Sequence, residues 1–167
     1  MCLMVATFLS LGSNLGDRKS YLDRGIQGLT AHGIEVVRVA AIYETEPREV
    51  TDHQPWFLNT IVQAETKLAP DQLMQACLTI ERANQRVRSS LGSARTLDID
   101  IVFYADRIIE TNELHIPHPR FSQRKFVLIP LAELAPAFVD PLTGTTVAEL
   151  LRRCPDTSTV RLLQQIP

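Results

Sequence analysis

Hydrophobic positions recur with two periods along this chain. Val5 to Leu11 is an apolar, β-branched run that ends at Gly12-Ser13-Asn14, a turn and helix-cap signal. No basic segment precedes it, so a first strand is expected rather than a leader peptide. Asp17 suits the positive start of a helix in which Leu22, Ile26 and Leu29 recur at i, i+4 and i+7 as far as Gly33. Glu35 to Thr45 reads as a second strand with Val37, Val39, Ala41 and Tyr43 on one face. The polar, proline-bearing stretch Glu46 to Pro55 reads as a loop. Phe57 to Thr66 is the third expected strand, with Leu58, Val62 and Ala64 toward the core and Phe57, Asn59 and Ile61 the other way. Pro70 opens a second helix, which Leu73, Cys77, Ile80 and Val87 extend to about Arg88. Arg95 to Tyr104 alternates strictly: Leu97, Ile99, Ile101 and Phe103 on one face, Asp98, Asp100 and Val102 on the other. Beyond it lie an irregular loop at Ile116-Pro117-His118-Pro119-Arg120 and a helix or extended piece from Phe126 to Leu134. A helix from Thr146 to Arg153 and a strand from Thr159 to Leu163 follow.

The resulting order, β-α-β-β-α-β plus a C-terminal extension, predicts an α+β domain of ferredoxin-like type, a mostly antiparallel sheet with helices packed on it. The length of 167 residues predicts a single domain spanning residues 1–167 with a real core. That pattern hosts many functions, so the chemistry has to come from particular residues.

Charge removes some function classes. At a formal net charge of −2 the chain offers no overall positive field, so no nucleic-acid partner is expected. No apolar run is long enough to cross a membrane, so no membrane partner is expected either. Any anion site must then be a local cluster of arginines. Cys2, Cys77 and Cys154 are odd in number and lack metal-ligand spacing, which predicts free thiols and a cytoplasmic setting.

Asp98 and Asp100 share a strand face and sit roughly 6.5–7 Å apart. Two such carboxylates raise each other's pKa unless a cation intervenes, and Mg²⁺ bridging to phosphate is the natural one. Arg95 starts the strand, Arg86 and Arg88 end the preceding helix behind Glu81, and Arg120, Arg124 and Lys125 follow His118. These cations around two acids suit a metal-bridged polyphosphate. The alternative is a solvated strand face with Arg95 as counterion. His118 is a poor Mg²⁺ ligand and suits a hydrogen bond to phosphate or a turn. Gly12 to Ser20 is not a Walker A loop, because Gly16 is followed by Asp17-Arg18 and Lys19-Ser20 comes too late. Phe57 and Asn59, with Phe126 downstream, suit a flat heterocycle; core packing is the alternative. A magnesium-dependent phosphohydrolase or nucleotidyltransferase and a non-catalytic nucleotide-binding module stay open on these residues alone.

The ordered set Leu11-Gly12-Ser13-Asn14-Leu15-Gly16-Asp17, Tyr43-Glu44-Thr45, Phe57-Leu58-Asn59, Ile80-Glu81 with Arg86-Val87-Arg88, Arg95-Thr96-Leu97-Asp98-Ile99-Asp100, and Ile116-Pro117-His118-Pro119-Arg120 with Arg124-Lys125-Phe126 resembles the 6-hydroxymethyl-7,8-dihydropterin pyrophosphokinase family of folate biosynthesis, over roughly Val5 to Pro136. The resemblance implies transfer of the βγ-pyrophosphoryl group of ATP, the co-substrate, to the pterin hydroxymethyl oxygen, leaving AMP. It implies that Asp98 and Asp100 bind two Mg²⁺ ions, Asp100 being also a candidate acceptor of the hydroxyl proton. Arg86 and Arg95 would clamp the phosphates and stabilise the transition state. Glu81, Arg88, Ile101, His118 and Arg124 would hold ATP, and Thr45, Phe57, Asn59 and Phe126 the pterin. Small-molecule substrates and a monomer are expected. Segments 46–54 and 88–94 would be mobile and close over the site. Gly92-Ser93-Ala94 stands where many members have Trp-Gly-Pro. Glu46 replaces a common Pro and Arg48 a common apolar residue, so a different pterin-side rim is expected. The tail from Pro155 to Pro167 gives no functional reading.

Overall fold

The computed structural model describes residues 3–48, 53–86 and 93–163. Strand β1 (Val5–Ser13) leads through helix α1 (Arg18–Ala31) to strands β2 (Ile34–Val39), β3 (Tyr43–Thr45) and β4 (Phe57–Thr66). Helix α2 (Pro70–Ala83) and strand β5 (Asp98–Tyr104) follow. A small hairpin of β6 (Ile109–Glu110) and β7 (His115–Ile116) precedes helices α3 (Lys125–Leu134) and α4 (Val147–Arg153) and strand β8 (Val160–Leu162). The main sheet runs β5-β1-β4-β3-β8, with β2 also against β4, and these pairings are antiparallel. The expected ferredoxin-like arrangement is present, with its second strand broken in two.

The break corrects the expected strand from Glu35 to Thr45. Its register against β4 slips between Val36 and Arg38, and the chain leaves β4 before rejoining it at Tyr43, opposite Asn59. A slip of one residue turns every following side chain over. Val37 and Val39 therefore do not share a face as expected, and they are 48% and 40% exposed.

Both sheet faces are covered. Helices α1 and α2 lay Leu22, Leu29, Leu73, Cys77 and Ile80 over Leu9, Leu11, Leu97, Ile99 and Ile101. On the other face α3 and α4 lay Val127, Leu128, Leu131 and Val147 over Phe8, Ile61 and Val102. Phe103 also lies in this second core, which corrects the strict alternation expected of β5. Phe8 pairs with Phe103 but Leu9 pairs with Ile101, so Val102 is an extra residue and the strand bulges there. Phe103 then meets Phe8 and Phe121 edge-on, with ring centroids 6.3 and 4.9 Å apart. Tyr104 takes the vacated side and donates its hydroxyl to the Leu68 carbonyl at 2.9 Å.

The helix ends matter for the site. Asp17, not Asn14, caps α1, its carboxylate accepting the Ser20 N–H at 3.1 Å. Asn14 is thereby released for a different task. Helix α2 ends at Ala83, short of the expected Arg88, because Gln85 takes a left-handed φ of 62°. The Arg86 N–H folds back onto the Glu81 carbonyl at 3.1 Å, and Arg86 swings toward β5.

Helices α1 and α2 cross where a Cβ on Gly28 would stand 2.8 Å from the buried Ile80 Cγ2. Gly28→Ala is expected to lower folding stability by about 1–3 kcal/mol, because overpacking outweighs the roughly 1 kcal/mol gain in helix propensity. Urea unfolding at constant m checks it; a more stable variant would show that the helices can part here at no cost.

Candidate active site

On the face covered by α3, the three central strands change character at one level. β1 passes from Phe8 to Ser10 and Gly12, β4 from Ile61 to Asn59 and Phe57, and β5 from Val102 to Asp100 and Asp98. Register sets Asp100 beside Ser10, itself beside Ile61, and Asp98 beside Gly12, itself beside Asn59. The apolar end is core. The polar end floors a cleft of about 400 Å³. Thr45, Phe57, Asn59, Arg86, Arg95, Asp98, Asp100, His118, Arg124 and Phe126, all expected from sequence, line it together.

The two acids have unequal surroundings. Asp98 accepts from Arg95 Nη1 at 2.7 Å on one oxygen and from Arg86 Nη1 on the other. Burial pushes its carboxyl up, but the two guanidinium groups outweigh burial and hold it below the ordinary value. Asp100 is pushed up to about 7, first by burial and then by the Asp98 charge, with Arg124 partly offsetting them. The 42% of its side chain open to the cleft lets water temper that shift. Among the described residues no cluster of three or more His, Cys, Asp or Glu side chains is placed to hold a metal ion. A pair of hard carboxylates open to a cleft, one short of positive charge, fits Mg²⁺ completing its shell with phosphate oxygens and water.

His118 belongs to the same wall. Burial, then the charges of Arg124 and Arg120, lower its pKa to about 4, so the ring is neutral at pH 7. Its Nδ1 accepts the Arg120 N–H at 3.2 Å, which assigns the ring proton to Nε2. Nε2 lies 3.9 Å from Asp100, too far for a hydrogen bond, and a neutral ring makes no ion pair.

The opposite end of the cleft is aromatic. Phe57 starts β4, Phe126 starts α3, and Asn59 lies over Gly12, where a Cβ would come within 2.7 Å of Asn59 Oδ1. Only glycine lets that amide approach the strand. Asn59 Nδ2 donates to the Thr45 hydroxyl at 2.7 Å. The guanidinium of Arg95 lies 5.9 Å from the Phe57 ring centroid and that of Arg124 lies 5.6 Å from Phe126, so the basic and aromatic ends adjoin.

Two expected site residues, Glu81 and Ile101, stand elsewhere. Glu81 is buried and does not line the cleft. It accepts the Ile99 N–H at 2.8 Å and pairs with Arg86 at 2.5 Å, so it orients Arg86 from below. The Ile101 side chain is packed in the α1/α2 core, because the alternation that exposes Asp100 buries its neighbour. Arg88 lies outside the described residues, as do 49–52 and 87–92, the greater part of the segments expected to close. Sequence reasoning took Asn14 as part of a turn and cap signal and gave it no part in the site. Its N–H donates to the Arg95 carbonyl at 3.0 Å and its Oδ1 accepts the Arg95 N–H at 2.8 Å. Its Nδ2 reaches Gln54 Oε1 and the Pro55 carbonyl at 3.0 and 3.2 Å. An asparagine buried at the end of a strand, where no cap needs it, was the available signal.

The comparisons with known proteins converge on one family. The profile described as 7,8-dihydro-6-hydroxymethylpterin-pyrophosphokinase (HPPK) matches residues 8–136. The chain is 42% identical over 151 residues to the 2-amino-4-hydroxy-6-hydroxymethyldihydropteridine pyrophosphokinase of Methylorubrum extorquens, covering 90% of this chain and 94% of that one. It is 38% identical over 151 residues to the folic acid synthesis protein fol1 of Pneumocystis carinii, covering 90% of this chain but 20% of that longer protein. The chain thus spans about a fifth of the length of the fungal relatives it matches. A Plasmodium falciparum HPPK-DHPS structure with pterin and p-hydroxybenzoate superposes with a TM-score of 0.71 at 15% identity, covering 92% of this chain and 43% of that one, a likeness of fold. Matched over most of its length by the profile and by relatives near 40% identity, this chain belongs to the 7,8-dihydro-6-hydroxymethylpterin-pyrophosphokinase family.

Proposed function

We propose that this chain transfers the βγ-pyrophosphoryl group of ATP to the hydroxymethyl oxygen of 6-hydroxymethyl-7,8-dihydropterin, releasing AMP. One observation carries the reading: a single cleft joins a carboxylate pair and a cluster of arginines, Arg86, Arg95 and Arg124 among them, to an aromatic–amide end. Asp98 and Asp100 would hold the two Mg²⁺ ions, which when bound neutralise and align the phosphate oxygens for in-line transfer. Arg86, Arg95 and Arg124 supply fixed positive charge where the transferred group becomes more negative. His118, neutral with its proton on Nε2, donates to phosphate without gaining charge at physiological pH. Phe57 and Phe126 stack the ring, and Asn59 and Thr45 give it hydrogen bonds. Asp100, facing the same cleft as the aromatic–amide end, is the candidate acceptor of the hydroxyl proton. Glu81 acts through Arg86, and Arg88 is expected to add a further phosphate contact.

The assay supplies ATP, Mg²⁺ and the hydroxymethyl-dihydropterin and identifies the nucleotide product. AMP appears only when pterin is present. ADP, or nucleotide breakdown without pterin, would mean a hydrolase or nucleotidyltransferase; binding without turnover would mean a non-catalytic module.

The two acids should respond differently to mutation, although both variants lose turnover. The folded pKa of Asp100, about 7, lies above its ordinary 3.8, so the native state binds the proton more tightly. Stability therefore falls as pH rises through that window, and the penalty is complete above it. Asp100→Asn should melt higher than the parent at pH 8 and level with it at pH 4; melting lower at pH 8 would mean the ionised group is stabilised. Asp98 has a depressed folded pKa, so its contribution is present above 3.8 and is lost as pH falls through its lowered value. Asp98→Ala removes the carboxylate shared by Arg86 and Arg95, leaving Glu81 to Arg86 and the Ser93 carbonyl to Arg95, and should cost about 1–3 kcal/mol at pH 7. An unfolding curve that superposes on the parent at pH 7 would show that the guanidinium groups find other partners.

A further inference from the structure

Beyond the residues matched by the family profile, the chain returns to the cleft. Strand β8 pairs with β3, setting Val160 opposite Thr45, Arg161 opposite Glu44 and Leu162 opposite Tyr43. Arg161 bonds Glu44 Oε2 from Nε and Nη2 at 3.0 and 2.7 Å. One residue further, the Thr159 N–H donates to Glu46 Oε1 at 2.7 Å and the Glu46 N–H donates to the Thr159 carbonyl at 3.3 Å. Glu46 lines the cleft.

The tightest point is Asp156, whose side chain is fully buried. Oδ1 accepts from the N–H and hydroxyl of Ser158, at 2.8 and 2.5 Å. Oδ2 accepts the Lys125 N–H at 2.8 Å and pairs with Arg48 Nη1 at 2.7 Å. Arg48, another cleft residue, also donates to the Gln123 carbonyl at 3.3 Å. Helix α3 has no capping side chain at its own N-cap, Arg124. A carboxylate from the distant tail satisfies one of its first N–H groups and complements the positive helix end. The next residue is Phe126, the aromatic wall. These bonds and the Arg48 charge outweigh burial and keep the Asp156 carboxyl below its ordinary value.

We propose that residues 156–162 form a strap that sets the heterocycle end of the cleft, with Asp156 as the positioning residue that locks rim residue Arg48 to the start of α3 and hence to Phe126. The proposal rests on the reading above, in which that end takes the pterin ring. A buried carboxylate with four protein contacts is costly to desolvate, and one that joins two separate cleft walls fixes their spacing. A shift of this wall by a fraction of an ångström weakens stacking at Phe126 while Asp98, Asp100, Arg86 and Arg95 keep their places; Arg124, the N-cap of α3, is the phosphate-side group close to the change.

The test uses the full chain with Asp156→Asn, Arg48→Met and the double variant. Amide hydrogen exchange on Asp156→Asn should quicken at residues 46–48 and 125–128 and stay unchanged at 58–64. In turnover, Asp156→Asn and Arg48→Met should each raise the KM for pterin about tenfold, with KM for ATP and kcat within about twofold, as a small misplacement of a positioning wall predicts. The double variant should be no worse than the worse single one, because both remove one link. Unchanged exchange, an equal rise in both KM values, a kcat loss with both KM values unchanged, or additive effects would overturn the strap. Should Asp156→Asn fail to fold, Arg48→Met, with its exposed side chain, decides by the same KM split. If exchange follows the strap but the parent makes no AMP, the proposed function falls and the strap's mechanical part stands.

Discussion

Two carboxylates on one strand face, two residues apart, cannot both be ionised in a half-buried cleft without positive charge close by. Most of this structure follows from how that constraint is met. Asp98 receives both oxygens' worth of guanidinium, from Arg86 and Arg95. Asp100 is left with more distant positive charge and a raised carboxyl. Glu81 is committed beneath Arg86, and Asn14 is committed to the backbone of Arg95. The cleft therefore stands ready for positive charge at one acid and for negative charge at the arginines, which is what a metal-bound polyphosphate offers together.

The sheet supports this by using one face for two purposes. Toward one end, Phe8, Ile61 and Val102 are sealed under α3. Toward the other, the same rows continue as Ser10 and Gly12, Asn59 and Phe57, Asp100 and Asp98. The rigid antiparallel pairing of β1 between β4 and β5 fixes the acids against the amide. The missing Cβ at Gly12 sets how near that amide can come. Long-range hydrogen bonds then tie the less regular walls to this frame: Asn14 from the first strand, and Asp156 from the C-terminal segment.

Much of this was legible in the residues. Periodicity gave the strands and helices in order, because burying one face of a strand or helix imposes its period on the sequence. The acid pair and the Phe57–Asn59 pair could be read because each sits at a fixed spacing on one strand, and the arginines because they flank those elements in sequence. Where the reading failed, a contact remote in sequence had overruled local pattern. The bulge at Val102 moved Phe103 to the other core, and the register slip after Val36 broke the alternation expected to put Val37 and Val39 on one face. Helix α2 stopped at Ala83, and Arg86 turned to meet Asp98.

The sequence by itself determined which elements form, which chemistry the chain carries and which family it belongs to, since propensity, period and motif are local properties. Only the tertiary structure decided that Asp98 and Asp100 have unequal electrostatic surroundings, that Glu81 serves Arg86 from below, and that a tail without a motif reaches back to the cleft. Those outcomes depend on desolvation and on partners tens of residues away, and neither is written in the neighbourhood of the residue concerned.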